Sequence, residues 1–324
     1  MSLTDIETVL VENGLKKDIY RLIKYSDEVK TKAIEEGNIL NRSTIIKILR
    51  GLKEEDKIVE RTSNSNFVKY LVNILHMFEE ITIFDEKRGT TLTRYVATYT
   101  PVSAYEIALS LLSKSFLSHY SSLYINDLTI NDPKDIYINK EQSKKSPAHH
   151  PGNITQGRVD YAFSKKMRTT TMNYNFQYHE KFYRVHVLNS KNTNNTGVVR
   201  KQPLAFSKKV PTTNLERTLI DIVVRPKYSG GVKEISDAYL RAKEYIDIDK
   251  LVQYLKKFNY AYPYYKAVLF FLESADYDST SLDRFKKNFL ADANDDITFY
   301  LDYQIIEKRL NKQIGIYYPS FLDD

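Results

Sequence analysis

The chain has 324 residues, room for about two domains of ordinary size, and its 42% apolar and 27% charged residues fit a globular protein with a substantial core. There is no cysteine, which excludes disulfides, thiolate metal sites and cysteine nucleophiles together and makes a reducing cytoplasm the expected location. The formal charge is +7, and neither an apolar run of membrane-spanning length nor an N-terminal secretion signal is apparent.

The charge is unevenly spread. Residues 1–98 carry 16 basic and 16 acidic residues, whereas residues 140–210 hold 14 Lys/Arg against three acids. That middle segment suits either contact with phosphates or an acidic partner, or simply a solvated surface.

The N-terminal part reads as helices followed by a hairpin. In "KKDIYRLIKY", Ile19, Leu22 and Ile23 have helical spacing, and "EVKTKAIEEG" stops on Gly37. In "NRSTIIKILRGLKEEDKIVE", Asn41 or Ser43 can cap, Ile45, Ile46, Leu49 and Leu52 form an apolar face, and Arg42, Thr44, Lys47 and Arg50 stay off it. "NSNFVKYLVNILHMF" repeats the logic, with Phe67, Tyr70, Leu71, Ile74 and Leu75 inward. "EITIFDEKRGTTLTRYVATY" is two β-prone runs around a charged, glycine-containing turn.

This order is that of a winged helix-turn-helix, in which one helix enters the major groove of DNA and the wing touches the backbone. Two segments compete for the recognition helix. One offers Arg42, Ser43, Thr44, Lys47 and Arg50; the other lies directly before the hairpin and offers Asn64, Asn66 and Lys69, with Lys87 and Arg88 at the hairpin tip. The alternative is that a charge-neutral helical domain binds protein instead.

The expected fold class is therefore α+β: a winged-helix domain over 1–98, then a larger α+β domain over 99–324 with a helical C-terminal part and the basic segment 140–210 inside it. Pro101 marks the boundary. "SAYEIALSLLSKSFLSHYSSLYINDL" supplies helical faces, "DIYIN" a strand, "SKKSPAHHPGNITQGRV" a loop, and "MRTTTMNYNFQYHEKFYRVHVLN" one or two strands. From Thr213 the pattern is helical: one long helix, a second beginning near Asp249, a buried one in "AYPYYKAVLFFLESA", and a further segment "ITFYLDYQIIEKRL" before "IGIYYP".

Signals for catalysis are weak. His149 and His150 lie in a loop without further ligands at metal spacing, and His179 and His186 are seven apart in strand-like sequence. Ser118 and His119 are adjacent, which on a helix points them apart. No phosphate-binding glycine loop occurs, Asp247 and Asp249 lack the upstream partners of a nucleotidyltransferase, and Asp292, Asp295 and Asp296 read as a solvated cap. The expectation is a non-enzyme without cofactor or metal.

One stretch stands out: "TNLERTLIDIVVRPKYSGG", Thr213–Gly231. Thr213 or Asn214 can cap a helix starting at Leu215, Glu216 sits in its first turn, and Arg217 and Asp221 are i,i+4 partners. Arg225 has no evident partner.

Together with "FLSHYSSLYINDLT", "DIYIN", "VHVLNSKNTNNTGV" and "ITFYLDY…IGIYYP", this stretch resembles the AbiEi-like family over roughly 99–319, with Asn126-Asp127 where His-Gly is common. Those proteins are antitoxins and transcriptional regulators of type IV toxin–antitoxin systems. The resemblance implies a cytoplasmic repressor that binds inverted repeats in its own promoter, as double-stranded DNA, and counters a nucleotidyltransferase toxin, with no membrane role. It marks Glu216, Arg217, Asp221 and Arg225 as structural signature residues. The competing expectation is a protein-interaction module of a phage-defence or mobile-element locus without specific DNA binding.

Overall fold

The computed structural model describes residues 17–144, 154–204, 206–290 and 297–323. It is a mixed α+β protein with twelve α-helices among the described residues. The chain divides into two compact units that are interleaved in sequence. The first runs up to Leu111 and takes in Tyr174–Tyr183 and Gln202–Lys209; the second comprises Leu112–Asn173, Arg184–Lys201 and Val210–Asp324.

The first unit begins with α1 (Lys17–Lys24), α2 (Ser26–Glu35), the short strand β1 (Ile39–Leu40) and α3 (Arg42–Glu54). Asn41 caps α3: its side chain accepts from Ser43 and Thr44 N–H, and the Thr44 hydroxyl accepts from Asn41 N–H at 2.7 Å. With the helix phased from Arg42, Ile45, Ile48, Leu49 and Leu52 are buried. The expected fourth member, Ile46, is only half-buried, and Ile48 replaces it at the i+3 position.

Helix α4 (Asn64–Lys69), capped by Ser63, is shorter than its apolar pattern suggests and passes into a π-turn at Tyr70–Ile74. The wider turn rotates the next residues away from the core, so Phe67, Tyr70 and Leu71 are buried but Ile74 remains 39% exposed and Leu75 half-buried. The expected hairpin then forms from β2 (Phe78–Asp85) and β3 (Thr90–Ala97), in register from Phe78 opposite Ala97 to Asp85 opposite Thr90. Strand β1 pairs antiparallel with β3, and Tyr174–Phe176 pair with β2 on its other side. Val29, Leu40, Leu52, Phe67 and Phe78 sit at the centre of this core.

Helix α5 (Ala104–Leu109) opens with a capping box from Ser103 and Glu106. The buried Glu106 carboxylate also accepts from the N–H and hydroxyl of Ser207, and Tyr105 stacks on Phe206 at 5.7 Å. Phe206 and Ser207 are thereby tied to α5 although nearly a hundred positions separate them.

In the second unit β4 (Phe116–Leu117), β5 (Asp135–Asn139), β7 (Lys181–Leu188, from Arg184 on), β8 (Val198–Lys201) and β9 (Val210–Thr213) pair in the order β7-β5-β4-β9-β8. Strand β6 (Asn173–Tyr178) precedes β7, so the "MRTTTMNYNFQYHEKFYRVHVLN" segment yields two strands. "DIYIN" is β5, as its pattern predicts. Helices α6 (His119–Ile125), α7 (Gln156–Ser164), α8 (Leu215–Val224), α9 (Val232–Ala242), α10 (Ile248–Phe258), α11 (Tyr264–Ser274) and α12 (Ser279–Phe289) complete it. A small sheet is built from β10 (Phe299–Tyr300), β12 (Ile316–Pro319) and β11 (Lys308–Asn311).

The central element here is α8, whose Leu219, Ile220, Ile222 and Val223 are buried together with Glu216, Arg217 and Asp221. A helix buried on all its faces must satisfy its charges internally, and that requirement organises the residues around it.

Candidate functional site

In the first unit, the residues expected to meet DNA separate by what they already do. On α3, Ser43 and Thr44 are committed to the Asn41 cap, and Lys47 is tied to Glu36. Arg42 and Arg50 are exposed and make no ion pair among the described residues. On α4, Asn64, Asn66 and Lys69 are all exposed or partly so, as is Asn73 in the π-turn. At the hairpin tip Asp85 accepts hydrogen bonds from the backbone N–H of Lys87 and Arg88, fixing the turn while both basic side chains project into solvent.

In the second unit, Arg217 is the hub. Its Nε reaches both carboxylate oxygens of Asp221 at 2.8 and 2.9 Å, and its Nη1 donates to Thr193 Oγ1 and Thr196 O at 3.0 and 2.8 Å. The guanidinium lies over the Phe258 ring at 4.6 Å, and Glu141 is 3.6 Å away. Burial pushes the Asp221 carboxyl upward, and the Arg217 charge opposes that shift. Asn214 caps α8 by accepting from Arg217 N–H, in keeping with the sequence pattern. Glu216 accepts from Asp247 N–H and pairs with Lys250 at 3.0 Å, joining the starts of α8 and α10.

Arg225, the fourth signature residue, is different. It ends α8, half-buried, and its side chain has no hydrogen-bonding or ion-pair partner among the described residues. It opens into a cleft of about 670 Å³ that Arg217, Asp221 and His119 also line. His119 has φ = 51°, while Ser118 before it is extended, so the two side chains meet at 2.9 Å instead of pointing apart as helical neighbours would. Burial, then the charges of Arg225 and Arg217, push the His119 imidazole down to about 3, so it is neutral at physiological pH.

No family model matches the chain, and no curated protein matches it. Among solved structures, the RV2827C protein from Mycobacterium tuberculosis is similar with a TM-score of 0.53 at 12% identity, over 90% of each chain. At that identity the likeness speaks for the fold alone.

Other residues with chemical potential are spent or remote. Asp247 caps α10, Asp249 pairs with Arg284, and His186 bridges Asp135 and Asn173 while stacking on Tyr137. His179 is exposed in the turn between β6 and β7. His149, His150, Asp292, Asp295 and Asp296 lie outside the described residues. Among the described residues no group of three His, Asp or Glu is arranged for a metal, and no helix is long and apolar enough to cross a membrane.

Sequence reasoning missed much of the cleft's remaining wall, including Arg168, Tyr228, Tyr260, Tyr262, Tyr264 and Tyr303. They come from four separate stretches, so no local spacing joins them. The one available signal was the tyrosine count, 26 in 324 residues, with four of them bunched in "YAYPYY".

Proposed function

We propose that this chain is an AbiEi-like regulator: a DNA-binding antitoxin of a type IV toxin–antitoxin system that represses its own promoter and counters a nucleotidyltransferase toxin. The observation that carries the DNA-binding half is the order α2, β1, α3, α4, hairpin that follows α1 in the first unit, with β1 pairing to β3. That order matches the layout of a winged helix-turn-helix, and it favours α4, directly before the wing, as the recognition helix. Its Asn64, Asn66 and Lys69 then read bases or phosphates, and Lys87 and Arg88 contact the backbone.

Two features of the second unit support the family reading. Three signature charges, Glu216, Arg217 and Asp221, are buried and spent on bracing contacts, Arg217 with Asp221 and Glu216 with Lys250 at the start of α10. Asp127, where the family commonly has glycine, has φ = 59°, a conformation glycine adopts freely and aspartate tolerates.

The test is a mobility-shift titration on the DNA upstream of the chain's own gene, across a salt series. Charge reversal at Lys69, Lys87 and Arg88 should weaken binding and flatten the slope of log affinity against log salt by roughly 0.9 for each phosphate no longer neutralised. Reversal at Arg42 and Arg50 should do less. Salt-sensitive binding that survives both sets overturns the winged-helix reading and favours the protein-interaction alternative. A neighbouring gene that encodes no nucleotidyltransferase counts against the antitoxin role.

A further inference from the structure

The cleft of the second unit has an electrostatic imbalance. Its basic lining residues are Arg168, Lys191, Arg217 and Arg225; its acidic one is Asp221. Asp221 is consumed by Arg217, and Lys191 Nζ reaches the carbonyls of Phe258 and Asn259 at 3.0 and 3.4 Å. Arg168, which is exposed, and Arg225, which is half-buried, have no carboxylate partner among the described residues. Half-burial removes part of the water that would otherwise stabilise a guanidinium, and an anion supplied from outside restores the balance.

Around Arg225 the wall is aromatic. Its charge is felt by Tyr228, Tyr260, Tyr264 and Tyr303 as well as by His119. Tyr262 and Tyr303 are half-buried, each keeping part of its surface accessible, and both are held in place by Phe163, at ring separations of 5.7 and 4.5 Å. Fixed aromatic faces with phenol hydroxyls accept a planar ring and its polar substituents. The volume, about 670 Å³, falls within the roughly 300–1,000 Å³ typical of small-molecule sites.

We propose that this cleft binds a nucleoside phosphate, with Arg225 anchoring the phosphate and the tyrosine wall receiving the ring. The site is independent of DNA recognition by the first unit. A free nucleotide and the phosphorylated end of an oligonucleotide share this chemistry, and the experiment separates them.

Isothermal titration of the full chain would use AMP, GMP, CMP and UMP, the matching nucleosides, inorganic phosphate, and a trinucleotide with and without a 5′-phosphate. Saturable binding of at least one phosphorylated ligand is expected, with the unphosphorylated form and the Arg225→Gln variant each about 10- to 100-fold weaker. Arg225→Lys should restore part of that loss, and Tyr303→Leu should weaken the nucleotide more than phosphate. A thermal midpoint for each variant identifies any that fail to fold, in which case the ligand series on the unaltered protein decides. Tighter binding of mononucleotides marks a free nucleotide; tighter binding of the phosphorylated trinucleotide marks a strand end. No saturable binding up to about 5 mM, a folded Arg225→Gln variant that binds like the parent, or phosphate binding as tightly as the best nucleotide each overturns the proposal.

Discussion

Two side chains set the behaviour of the second unit at the residue scale. Arg217 is 2% exposed and holds α8, the Thr193–Thr196 turn and Phe258 together. Removing one member of such a pair strands the other in the interior, so Arg217→Ala or Asp221→Ala should each cost about 3–5 kcal/mol in urea unfolding. The double variant should cost clearly less than the sum, because neither charge is then left alone. His119 carries a pH signature. Its folded-state value of about 3 lies below the ordinary 6.5, so the unfolded chain takes up the proton first. The stability this histidine contributes is complete above 6.5 and declines as the pH falls towards 3. Between pH 7 and 4.5 the parent should lose about 2–3 kcal/mol more than His119→Asn, read from urea midpoints at each pH. The Arg217–Asp221 pair was legible in the sequence because it obeys a local spacing rule. The Ser118–His119 contact was not, because a left-handed φ at a helix's first residue leaves no trace in residue order.

At the level of elements, the polar turn before β8 is built around Gly197. Its φ is 76°, and a Cβ there would lie 2.6 Å from the Arg217 Cβ and 2.9 Å from Asn214 Oδ1. Gly197→Ala should therefore destabilise the second unit by about 1–3 kcal/mol, and the loss should shrink in an Asn214→Gly background if crowding of the cap is the cause. Calorimetric midpoints of the two singles and the double check this. "SKNTNNTG" reads as a bland turn in isolation; its demand for glycine arises from the start of α8, which packs against it. Helix phases and strands were legible where one face alone is buried, as in α3 and β2. The end of α4 was not, since the π-turn at Tyr70–Ile74 breaks the regular period on which the inference depends.

For the molecule as a whole, the sequence suggested a boundary near Thr98, whereas the first compact unit extends to Leu111 and recruits 174–183 and 202–209. Tyr178 donates its hydroxyl to Val102 O, Lys208 donates to Gly37 O, and Ser207 donates to the buried Glu106 carboxylate. A fragment ending at Leu111 lacks all of these, so it should melt well below the intact protein's first unit and show less protection of the α5 amides in hydrogen exchange. Supplying 202–209 in trans should recover little, because tethering is what makes these segments effectively concentrated. Insertions of this kind are invisible to a reading that moves along the chain and closes one domain before opening the next. The cleft escaped for the same reason, since its wall is collected from distant stretches.

The interleaving also has a consequence in time. A ribosome delivers residues in order, at about 5–20 per second, and the first unit stays incomplete until residue 209 has emerged. For many seconds after its helices and hairpin exist, α5 waits with the Glu106 carboxylate lacking its Ser207 donors and one face of Tyr105 uncovered. The nascent chain must therefore hold an unfinished unit open while part of another is being made. That exposes it to nascent-chain chaperones and couples the maturation of the hairpin-bearing unit to synthesis of the cleft-bearing one.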